Sequence, residues 1–259
     1  MIRNRSLAAD DRSVSEVVGY VLVISLVITT VGVVSVSGIG VLQDAREAEQ
    51  IENAKRAFDL LADNMEDIYR EGAPSRSTEI QLGSAQLVAQ ETTRFNVSWI
   101  NSTSDRQFQS SNITSVVYRG DGESRLIYDA GAIFRVSQSG GEGTVLREPP
   151  LIVTPERTVI TTPRTTSRGT SAVSGSTALI RATRLSESVL ARNTQYTNIT
   201  VNVTSPHWRV WRTALDGREN INCGSGDPAT ETISCELLDG NSPGVFYLTQ
   251  TQIRVELTR

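Results

Sequence analysis

Between Val17 and Leu42 the chain runs for 26 residues without a charged side chain, then continues into a helical repeat. At ~1.5 Å per residue a helix of that length spans about 39 Å, more than the ~30 Å hydrocarbon core of a bilayer. Beyond it Ile51, Ala54, Phe58, Leu61, Met65 and Ile68 recur at steps of three and four, one stripe of a helix. Gly72, Ala73 and Pro74 supply the stop. The pattern predicts one long helix over 14–71, membrane-spanning over about 17–42 and packed against protein further on.

Arg3, Arg5 and Arg12 precede the apolar run, and basic residues held on the cytoplasmic side orient a first span with its N-terminus inside. Everything after Leu42 is then expected outside the cell. Gly19, Gly32, Gly38 and Gly40, with Ser25, Thr29, Thr30, Ser35 and Ser37, are small residues of the kind that allow close helix approach in membranes. A solitary anchor that merely tolerates them is the simpler alternative. Ser35-Val36-Ser37 before Gly38 also has the small-x-small form of a secretory cleavage site. Cutting there would separate a span from the helix built to continue it.

The segment Asp11-Arg12-Ser13-Val14-Ser15-Glu16-Val17-Val18-Gly19, followed at once by the apolar helix, resembles the class III signal peptide of archaeal type IV pilins and pilin-like proteins. The resemblance covers the first fifth of the chain. It implies a basic leader (1–13) removed by prepilin peptidase, with Ser13/Val14 the first choice of bond and Arg12/Ser13 the second, and an apolar helix kept on the mature protein. Ser13 stands where Gly or Ala is commoner, and Glu16 where many archaeal pilins have Pro. The resemblance also implies a pairing of Glu16 with the new N-terminal amine of a neighbouring subunit; a headgroup-level Glu16 facing water is the alternative. Ala57-Phe58-Asp59-Leu60-Leu61-Ala62-Asp63-Asn64 and Gly72-Ala73-Pro74-Ser75-Arg76 resemble an uncharacterised haloarchaeal branch of pilin-like envelope proteins, which brings no established activity.

The remainder, 74–259, is long enough for one domain with its own core. Phe95, Val97 and Trp99 alternate with polar residues, as do Ile199, Val201 and Val203, and Ile253, Val255 and Leu257. Period two means strands with one buried and one solvated face. Further strands are expected at 78–82, 113–119, 124–128, 131–137, 157–162 and 176–184. Separated by turn-rich pieces such as Ser139-Gly140-Gly141-Glu142-Gly143, they predict an antiparallel β-sandwich-like domain, α+β for the whole chain. Ser205-Pro206 reads as N-cap and first residue of one short helix to about Leu215, with Trp208 and Trp211 expected to pack onto the sheet rather than form a carbohydrate platform. Thr154 to Ser171, rich in Thr, Arg, Ser and Pro, reads as a loop or a Pro-punctuated edge strand.

A net charge of −4 and pI near 5.2 leave no basic footprint for nucleic acid. The only cysteines, Cys223 and Cys235, are expected to form a disulfide in an oxidising exterior. Five glycosylation sequons begin at Asn96, Asn101, Asn112, Asn198 and Asn202; Asn198 and Asn202 fall on the strand face opposite Ile199, Val201 and Val203, where a glycan can project into water. Enzyme signals are thin: the lone His207 has no nucleophile motif beside it, and no Gly-x-Ser-x-Gly, His-Glu-x-x-His or P-loop occurs. Asp121-Gly122-Glu123 lacks the carboxylates of a calcium loop, and no cofactor or metal is expected.

These readings give a non-enzymatic, pilin-like cell-surface protein, a subunit or minor subunit of a type IV pilus-like filament. Its expected partners are the membrane, other pilin-like subunits and prepilin peptidase, with Gly32 a packing contact between helices. The competing expectation is a membrane-anchored surface module that binds glycan or another envelope protein without polymerising.

Overall fold

The computed structural model describes residues 10–101, 104–120, 122, 124–137, 143–193, 196–238, 241 and 244–259, and the backbone alone for 10–16, 38–40, 43, 44 and 193. Arg3, Arg5, Thr103, Asp121, Glu123 and Ser139–Glu142 lie outside the described residues. Two compact units divide the chain after Glu49. One helix, α1 (Asp10–Tyr69), contributes to both. It ends as its sequence dictates: Gly72 takes a positive φ of 76°, and the Ala73 amide donates back to the Asp67 carbonyl at 3.0 Å.

Fourteen strands follow among the described residues. They are β1 (Ser75–Gln81), β2 (Gln86–Ile100), β3 (Arg106–Arg119), β4 (Ser124–Asp129), β5 (Ala132–Ser137), β6 (Gly143–Arg147), β7 (Leu151–Val153), β8 (Arg157–Ser167), β9 (Ala172–Ser174), β10 (Thr177–Asn193), β11 (Thr197–Thr204), β12 (Ile221–Cys223), β13 (Thr232–Leu237) and β14 (Val245–Thr258). A second helix, α2 (Trp208–Asp216), lies between β11 and β12. One sheet has the order β1-β10-β14-β8-β7; the other runs β12-β13-β11-β2-β3-β4-β5-β6, with β9 beside β2. The α+β reading with a β-rich domain holds, and the pairing is antiparallel throughout except β14 with β8, which is parallel.

Two cores fill this domain. In the first, the predicted stripe of α1, from Ala54 through Phe58, Leu61, Met65 and Ile68, is buried together with Ile80, Leu87, Tyr118, Tyr128, Ile180 and Val255. In the second, Phe95, Val97, Ile113, Val117, Ile127 and Val201 pack with Val210, Trp211 and Leu215 of α2. Sheet alternation sends successive residues of β3 and β4 to different cores: Val117 and Ile127 to the second, Tyr118 and Tyr128 to the first. The β4–β5 hairpin closes through Ala130 (φ 49°) and Gly131 (φ 88°), a two-residue turn that needs positive φ at both positions. A side chain at Gly131 would also lie 2.6 Å from Pro150 Cδ.

Of the two readings of Thr154 to Ser171, the Pro-punctuated strand holds and the loop does not: the stretch contains β8. Its Pro163 is tolerated because β7 pairs only with Thr158–Ile160, leaving that edge of β8 without a ladder partner further along. The cap of α2 is His207, with no side-chain cap bond, and not Ser205. Ser205 is buried, and its hydroxyl accepts bonds from the Thr93 hydroxyl at 3.0 Å and the His207 amide at 3.2 Å.

Candidate functional site: the exposed apolar helix and the asparagine face

Val17–Ser37 of α1 is apolar and long enough to cross a membrane, and none of it is buried. Two of its hydroxyls bond within the helix: that of Thr29 donates to the Ser25 carbonyl at 2.7 Å and that of Thr30 to the Val27 carbonyl at 2.9 Å. Hydroxyls paired in this way can face hydrocarbon at little cost. Ser25, Thr29 and Gly32 recur at i, i+4 and i+7, so they share one face. A Cβ built on Gly32 or Gly19 would meet nothing within 4 Å, leaving both open to a neighbouring helix. Ser13, Val14 and Glu16 belong to the backbone of α1, and their side chains lie outside the described residues.

The five sequons, scattered from 96 to 202 in sequence, gather on neighbouring strands. Asn202 of β11 stands directly opposite Asn96 of β2, and Arg94, two residues back on the same face, stands opposite Asn112 of β3. The Arg94 Nε donates to Asn112 Oδ1 at 3.2 Å. Asn198 is exposed at an irregularity of β11 with φ 51°, a conformation that Asn adopts more readily than most residues. Asn101 follows β2, its Oδ1 accepting the Asp105 amide at 2.9 Å. The alternation read from the sequence holds: Ile199, Val201 and Val203 are buried while Asn198 is exposed and Asn202 half-exposed. What the sequence could not reveal is the register that makes Asn96, Asn112 and Asn202 one patch.

Cys223 and Cys235 form a disulfide across the paired strands β12 and β13. Closing so short a loop stabilises the domain by about 3 kcal/mol. Trp211 is fully buried, lies edge-on to Phe134 at 5.0 Å and donates its Nε1–H to Asp129 Oδ2 at 3.1 Å, so it packs onto the sheet as expected. Trp208 is buried as well. Asp129 is an unforeseen polar residue in the core, bonded also by the Thr93 hydroxyl at 2.5 Å. Burial pushes its carboxyl up to about 6, against the opposing effect of Thr93, Trp211 and Ser115. His207 is pushed down to about 4, by burial first and then by the charges of Arg125 and Arg119. Among the described residues no three His, Cys, Asp or Glu converge as metal ligands do.

The model of a family of unknown function, DUF7289, matches residues 12–256, the apolar helix and the β-domain together. No curated protein matches the chain.

Proposed function

We propose for this chain, which belongs to the DUF7289 family, a structural role at the cell surface: a pilin-like subunit or minor subunit, anchored and assembled through its apolar helix, with the β-domain outside. The observation that carries this reading is the surface of Val17–Ser37, uncharged, of membrane-spanning length and wholly unburied. Such a surface requires lipid or other helices. The pilin-like assignment adds the resemblance of Arg12 to Gly19 to a class III signal, with cleavage at Ser13/Val14 or Arg12/Ser13 by prepilin peptidase. Glu16 would then pair with a neighbour's new amine. The asparagine face formed by Asn96, Asn112 and Asn202 would carry glycans, with Asn101 and Asn198 as further acceptors.

A second reading, a non-polymerising anchored module, draws support from a specific fact. The stripe from Ala54 to Ile68 is already covered by the β-domain's own core, so it cannot also serve as an interface between helices. Assembly through α1 is then left to the portion before Gln50 and to the exposed opposite face that carries Leu60. Mass spectrometry of the mature terminus and electron microscopy of the native surface separate the possibilities. A terminus at Val14 or Ser13 together with filaments supports the pilin-like role; the same terminus with dispersed protein supports the anchored module; a terminus at Gly38 rejects both. In a filament-forming protein, Gly32→Leu should leave membrane fractionation unchanged and reduce filament number severely, because the added side chain occupies the face that Ser25, Thr29 and Gly32 keep open.

A further inference from the structure

The β3–β4 register sets Arg119 directly opposite Arg125. Both share strand parity with Val117 and Ile127, the residues that face α2's core. Like charges directly opposite in a sheet repel. Here the conflict is sharpened by burial: the Nε atoms of both arginines are buried and have no hydrogen-bond partner. Arg119 spends one Nη2–H on Gln90 Oε1 at 3.1 Å. The ion pairs among the described residues use Arg70, Arg76, Arg147, Arg184, Arg212 and Arg218, and none uses this pair. His207, the residue before α2, lies within the electrostatic reach of both guanidinium groups.

We propose that Arg119, Arg125 and His207 form a binding site for a doubly charged tetrahedral oxyanion, a phosphate or sulfate group. Two guanidinium groups present Nε–H and Nη–H donors in the fork geometry that matches such oxygens. A dianion between them removes the repulsion and gives the buried Nε–H groups acceptors. The imidazole, which feels the charge of both guanidinium groups, adds a third donor. All three side chains are only partly buried, so the site opens to solvent. The site is separate from the apolar helix and does not depend on the role proposed for it.

His207 is the only histidine, so its ring resonances report on this site alone. The test is an NMR titration of the full-length chain in detergent, in chloride and in sulfate at matched ionic strength, since sulfate stays doubly charged over the range in which His207 titrates. Sulfate should raise the His207 pKa by one unit or more and raise the melting temperature. Arg125→Gln should abolish both responses; Arg125→Lys, which keeps the charge but loses Nε–H, should weaken sulfate binding about tenfold and serves if the glutamine variant does not fold. Inorganic phosphate raising the melting temperature at about pH 8, where it is a dianion, with acetate inert, supports a tetrahedral dianion; an equal response to acetate overturns that specificity. A His207 titration that is the same in chloride and sulfate overturns the site.

Discussion

Phe58→Ala should destabilise the β-domain by about 3–5 kcal/mol, the range for deleting a large buried ring that leaves a cavity. Phe58 is 0% exposed and sits at the centre of the α1 stripe, within the core that holds Met65, Tyr118 and Val255. Leu60, two residues along the same helix but 53% exposed, is the control. Leu60→Ala should change stability by no more than about 0.5 kcal/mol. Urea unfolding in detergent, followed by tryptophan fluorescence, measures both, and membrane fractionation should be the same for each, since neither lies in Val17–Ser37. An unchanged midpoint for Phe58→Ala would mean that the stripe is not held by its own domain. The stripe would then be free for contacts between subunits, and the argument for the non-polymerising module would lose its footing.

That stripe was legible because its signal is local: six apolar residues at helical spacing name both the element and its buried face. The strands carrying Val97, Val201 and Val255 were legible for the same reason at period two. The parallel pairing of β14 with β8 was not, since Val245 and Arg157 pair 88 residues apart in the chain and no short-range pattern encodes it. Short strands such as β7 and β12, three residues each, fall below the length at which alternation can be recognised. Asp129 followed by Ala130 and Gly131 reads as an ordinary turn. Its burial depends on Thr93, 36 residues before it, and Trp211, 82 residues after it. The arginine pair was hidden in a different way: Arg119 and Arg125 are close in sequence, but only the strand register shows that they face each other. Composition gave no hint, because 24 arginines make any two of them unremarked.

Asp129 and His207 should impose opposite pH dependences on stability that nearly cancel in the native protein. Asp129 rises from 3.8 to about 6 on folding, chiefly by burial, so the folded state holds its proton more tightly than the unfolded chain does. Its contribution is therefore complete below about pH 4 and is lost as pH rises through 6. His207 falls from 6.5 to about 4, again chiefly by burial, so the unfolded chain holds that proton more tightly. Its penalty is absent above about pH 6.5 and grows as pH falls toward 4. Each shift of about two units corresponds to roughly 3 kcal/mol, changing by about 1.4 kcal/mol per pH unit with opposite sign. Between pH 4.5 and 6 the native protein should thus show a flat stability profile in cationic buffers, which avoid oxyanions. Asp129→Asn keeps an oxygen for the Thr93 and Trp211 donors and places an amide where Oδ1 has no hydrogen-bond partner, with the Ser115 hydroxyl near. In that variant stability should climb with pH across the window. In His207→Gln it should fall instead. Chemical denaturation at four pH values distinguishes the slopes, and parallel profiles in the two variants would sink the assignment of opposed protons to these two residues.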